Sequence, residues 1–147
     1  MNESRDISKR LVITGTLLIW IIKFGIRPLH IGSEPLLFFL NVAPNFLGSF
    51  FIPFGACWFF SNRDHFVGRL FRTRTQAEIN RVCLLGFGML VVNEYLQKIP
   101  VFGRTFDLND IFFSALGLLL ASLLSGRWLI VTERPSYYDQ RQLPNAR

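Results

Sequence analysis

The sequence predicts an all-α membrane protein: a bundle of four transmembrane helices, the second Pro-kinked, with both termini cytoplasmic. Three observations carry that reading. Half of the 147 residues are hydrophobic and 16 are Phe, too apolar a composition for an ordinary soluble domain of this length. The apolar residues gather into four runs, at about 11–26, 36–60, 79–96 and 111–131. Each is near the ~20 residues that a helix rising 1.5 Å per residue needs to cross ~30 Å of hydrocarbon. Lipid offers backbone groups no water, and none of the runs alternates as barrel strands do, so helices are the expected spanning structure. The basic residues are also unevenly divided. With the N-terminus inside, Arg5, Lys9, Arg10, Arg63, Arg69, Arg72, Arg74, Arg81, Arg127, Arg134, Arg141 and Arg147 fall on the cytoplasmic side, and only Lys23, Arg27, Lys98 and Arg104 on the other. The positive-inside rule then places a multi-pass protein in an inner or plasma membrane.

The same asymmetry explains the net charge of +6. The charges flank apolar spans and form no single stripe, so membrane lipids are the expected partners and nucleic acid is not. The whole chain reads as one membrane domain ending in a polar tail at 132–147.

Taken in order, the first helix is expected to begin near Asp6-Ile7-Ser8 and to end at Gly25 and Arg27-Pro28, because the residue before Pro is pushed out of helical geometry. Nothing like a small-x-small cleavage site follows Phe24, so a retained anchor is expected in place of a signal peptide. Gly32-Ser33-Glu34-Pro35 makes a turn and restarts the chain. Asn41, Pro44, Asn45, Gly48 and Pro53 interrupt the second run; an interior Pro deletes a backbone hydrogen bond and kinks a helix. Asn41 and Asn45 lie four apart, on one face. Two uses stand open for them: capping the kink, or lining a polar cavity shared with Glu94. The inner loop at 61–78 is basic, and Phe66–Phe71 reads as a short interfacial turn with Arg69 and Arg72 at the head groups. Cys57 and Cys83 fall within apolar runs as small hydrophobes, and His30 and His65 are isolated, so no metal or other cofactor is expected.

The distinctive residues lie between the third and fourth runs. Glu94 and Gln97 are three apart, and Asn93 and Gln97 four apart, giving that helix end a polar edge. Lys98-Ile99-Pro100 ends the helix, Val101-Phe102-Gly103 turns the chain, and the fourth helix starts near Asp107. At 100° per residue, Asp107, Asp110, Ser114 and Gly117 share one side of it. A hairpin of these two spans brings Glu94, Gln97, Arg104 and Asp110 to one depth. Charge at the edge of hydrocarbon is costly and usually has a partner or a task. A structural use is the readier one from spacing alone: Asp107 as a helix N-cap, Arg104 pairing with either Asp to fold the hairpin, and Gly117, Ala121 and Ser125 as a close-packing stripe.

At these residues the chain resembles the VanZ-like family of small membrane proteins. The resemblance rests on a Glu-x-x-Gln pair (Glu94, Gln97), an Arg-Thr-x-Asp-x-x-Asp loop (Arg104, Thr105, Asp107, Asp110), the packing glycine Gly117, and Phe51, Pro53, Phe54 and Gly55 in the second span. Two positions depart: Ser114 stands where the family has Asn, and Leu47 where it has Asn shortly before Pro-Phe-Gly, with Asn45 two places off. The family takes its name from a protein associated with low-level resistance to the glycopeptide teicoplanin. The resemblance implies a cell-envelope role on the outer face. On this reading Glu94, Gln97, Arg104, Asp107 and Asp110 bind the head group of an envelope lipid, glycan precursor or lipoglycopeptide, supported by Asn41, Asn45, Pro53, Ser114 and Gly117. Two alternatives remain at this point: an intramembrane enzyme with Glu94 or Asp110 as base, or a structural subunit packing against other membrane proteins.

Overall fold

The computed structural model describes residues 2–29, 32–60, 63, 65–97 and 106–131. Helix α1 (Asn2–Trp20) runs on through a π-helical turn at Ile21–Ile26 and a 3-10 turn at Arg27–Leu29. It is followed by α2 (Glu34–Phe50), α3 (Ile52–Phe60), the short α4 (Phe66–Leu70), α5 (Gln76–Leu96) and α6 (Leu108–Val131). Four stretches are long and apolar enough to cross a membrane: Glu3–Leu29, Glu34–Phe60, Gln76–Leu96 and Leu108–Leu129. The chain is thus all-helical over its described residues and has the makeup of a multi-pass membrane protein.

Helices begin earlier than the apolar runs do, and for α1 and α5 the contacts of the first turn explain the extension. The start of α1 lies at Asn2, ahead of the expected Asp6, because its first turns pack on the bundle: Ser4 and Ser8 are buried, and Arg5 Nε donates to the Trp58 carbonyl at 3.2 Å. At α5, Thr75 Oγ1 accepts from the Glu78 N–H at 3.2 Å while the Glu78 carboxylate accepts from the Thr75 N–H at 3.2 Å. This reciprocal capping box starts the helix at Gln76, three residues before Ile79. The second span is two helices interrupted at Phe51. Pro53 has no N–H to offer the Ser49 carbonyl, while the Phe51 N–H still reaches the Leu47 carbonyl at 3.1 Å and the Gly55 N–H the Phe51 carbonyl at 2.8 Å.

Helix α6 is the centre of the packing, lying along α2 and against α5, while α3 packs on α1 and α5. Phe54, Cys57, Ile79, Cys83, Leu118 and Leu129 form the core, both cysteines buried as thiols. Gly117, Ala121 and Ser125 are all buried. A Cβ at Gly117 would run into the Ser49 hydroxyl and the Phe46 carbonyl, so α2 and α6 approach this closely only because that side chain is missing. At the other end of the α5–α6 pair, Gln76 Nε2 donates to Asn80 Oδ1 at 2.8 Å and to the Ser122 carbonyl at 3.0 Å, and the Ser122 hydroxyl donates to Asn80 Oδ1 at 2.7 Å. Only 11 % of the most apolar stretch of each of the first two spans is buried within the chain, against 28 % for the third and fourth. The outer surfaces of α1–α3 are therefore largely uncovered by the rest of the chain.

Candidate functional site

Glu94 sits on the last turn of α5 between neighbours that face outward. Tyr95 is 54 % exposed but Glu94 only 6 %. Its burial is possible because both carboxylate oxygens are occupied. Oε2 accepts from Gln97 Nε2 at 2.8 Å and Oε1 from the Asp107 backbone N–H at 3.0 Å. Hydrogen bonds to an ionised group are worth about 1.5–3 kcal/mol each. The second crosses from α5 to the start of α6, so Glu94 closes the hairpin. The Tyr95 and Phe106 rings, 5.4 Å apart, flank the same crossing.

Asp107 caps α6: its Oδ1 accepts from the Asn109 N–H at 2.9 Å and from Asn109 Nδ2 at 3.0 Å. One turn on, the half-buried Asp110 carboxylate takes a hydrogen bond from the Asn45 side chain on α2. It lies within the fields of Glu94, Asp107 and Arg27.

These groups surround a recess of about 490 Å³ at one end of the bundle. Asn93, Glu94 and Gln97 come from the end of α5, Asp107, Asn109 and Asp110 from the start of α6, and Asn41 and Asn45 from α2. Lys23 and Arg27 come from the π and 3-10 turns that finish the first span, while Phe38, Val42, Pro44 and Leu90 supply apolar wall. Since ends of the first and third spans meet the starts of the second and fourth there, sequential spans run antiparallel. Short π-helical turns inside an α-helix recur at functional positions, and this one carries Lys23. Among the described residues no carboxylate lies within 4.0 Å of the Lys23 or Arg27 nitrogens. The two cations line the same recess as the three acids, and the field of Arg27 reaches Asp110.

The structure thus gathers Glu94, Gln97, Asp107, Asp110, Asn41 and Asn45 around one recess. Pro53, Ser114 and Gly117 do not line it; all three are buried in helix contacts below. Arg104 and Thr105, the expected 98–103 turn and the tail lie outside the described residues. Sequence reasoning did not connect Lys23, Arg27 and Asn109 to the site. The available signal was that Lys23 and Arg27 are two of the few basic residues on the minority side of the charge division. The three carboxylates do not form a metal site: among the described residues no group of three or more His, Cys, Asp and Glu is arranged to hold an ion. Of the two carboxylates considered as a base, Glu94 has each oxygen engaged, whereas Asp110 keeps acceptor capacity toward the recess. No family model, curated protein or solved structure matches the chain.

Proposed function

We propose that this chain is a VanZ-like protein of the cell envelope whose recess faces away from the cytoplasm and binds the polar head group of an envelope lipid, glycan precursor or lipoglycopeptide. The observation that carries the reading is the 490 Å³ recess, in which cationic, anionic and amide side chains from all four spans converge at the end of the bundle. That level coincides with the head groups when the apolar spans are centred in the bilayer. The charge division supports an outward-facing recess, since the opposite end carries the Arg-rich loop and, on this orientation, both termini. Pro44 and Pro53 would bend the second span so that Asn41 and Asn45 turn toward the acids.

The test is mass spectrometry of small molecules that co-purify with the protein. Asn41 is exposed at the recess, and Asn41→Phe introduces a bulky apolar ring there without touching a core contact. The wild type is expected to retain a specific head-group-bearing molecule that Asn41→Phe loses while keeping its helical circular dichroism. Equal retention by both proteins, or no retained molecule with either, defeats the reading.

A further inference from the structure

The recess has two chemically opposite walls. On one, Lys23 and Arg27 have no ion-pair partner among the described residues, and the Lys23 ammonium lies over the Phe24 ring, 5.7 Å from its centroid. On the other, Glu94, Asp107 and Asp110 accept from amide and backbone N–H donors, and among the described residues no cation pairs directly with them, although the field of Arg27 reaches Asp110. Among the described residues, Glu94 has a donor on each oxygen, while Asp107 accepts through Oδ1 and Asp110 from the Asn45 side chain, which leaves both with acceptor capacity. A purely anionic guest would meet three carboxylates, and a purely cationic one would meet Lys23 and Arg27. Only a guest carrying both charges satisfies both walls.

We infer that the recess is selective for a zwitterionic head group, with a phosphate against Lys23 and Arg27 and a primary ammonium against Asp107 and Asp110: the chemistry of phosphoethanolamine. This rests on the head-group reading above and narrows it. A primary ammonium donates three hydrogen bonds, which suits carboxylates and the Asn41 and Asn93 amides. A quaternary ammonium donates none and is recognised by aromatic cages, yet Phe38 is the one aromatic side chain lining the recess among the described residues. Phosphate suits the cationic wall because an Arg fork and a Lys point charge together match its several oxygens.

Purified wild-type protein in detergent, given equal amounts of phosphatidylethanolamine, phosphatidylglycerol and phosphatidylcholine, is expected to retain phosphatidylethanolamine at least about tenfold over the others by native mass spectrometry. Free O-phosphoethanolamine in large excess should displace it, because the recognised atoms all belong to the head group. Asp110→Asn should abolish the preference over phosphatidylglycerol and Arg27→Ala should weaken retention of both, each with unchanged helical circular dichroism. Equal retention of the ethanolamine and glycerol lipids, both lost on Asn41→Phe, would overturn the zwitterion assignment while leaving a head-group site standing. Failure of free O-phosphoethanolamine to compete would overturn it too. Retention of no lipid above the Asn41→Phe level would sink this inference and the parent reading together.

Discussion

At Glu94 the chain holds an acid at the edge of hydrocarbon by giving each oxygen a donor. Glu94→Gln is nearly isosteric but exchanges one acceptor oxygen for an NH2 group. That group cannot serve the Asp107 N–H, so it must face Gln97, whose amide then has to turn its carbonyl oxygen inward, and both bonds become neutral ones. Exchanging hydrogen bonds to an ionised group for neutral ones costs about 1 kcal/mol. The variant should melt at lower temperature by circular dichroism in detergent; an unchanged melting temperature would mean the clamp contributes nothing to the fold. Gly117→Ala probes the other tight spot. The new Cβ meets a backbone carbonyl, which cannot swing aside as a side-chain tip would. Overpacking of this kind costs about 1–3 kcal/mol, read in the same melt. Gly117 was visible in the sequence as part of a small-residue stripe. Glu94 was visible as a charge out of place, but its Asp107 partner was not, because a backbone N–H carries no sequence signature.

Among the elements, α5 starts ahead of its apolar run for a purely local reason. Its first turn is polar, and what makes it helical is the Thr75–Glu78 box, a local motif present in the sequence and hidden behind the search for apolar residues. Thr75→Ala removes one of the two reciprocal bonds and should cost about 1 kcal/mol. The loss should be concentrated at Gln76–Ile79, where amide hydrogen exchange is expected to speed up while exchange in α6 holds; uniform acceleration across the bundle would count against a local cap. The first span shows the reverse difficulty. Its apolar run was legible, but its change to π and 3-10 geometry has no signature in the periodicity of that run. Consequently the placement of Lys23 and Arg27 beside residues roughly seventy positions away could not be read in advance.

For the molecule as a whole, the four runs were legible because a bilayer imposes a length and a composition on anything that crosses it. The proposed orientation has its own test. Ser33 begins α2 at the recess end and Arg63 lies at the opposite end of the second span. In intact cells, Ser33→Cys should react with a membrane-impermeant maleimide and Arg63→Cys only after permeabilisation; the opposite pattern inverts the topology. The hairpin of α5 and α6, tied by Glu94 at one end and by Gln76, Asn80 and Ser122 at the other, also bears on biogenesis. A nascent chain halted after its third crossing has no Asp107 amide to offer, so its lone acid meets the bilayer with a single amide for company. Isolated charges of this kind weigh about 2.5–3.5 kcal/mol against insertion at mid-bilayer and less near the surface. Arrested chains should therefore enter the membrane poorly until the next crossing emerges from the ribosome, which makes the last two crossings a single insertion unit.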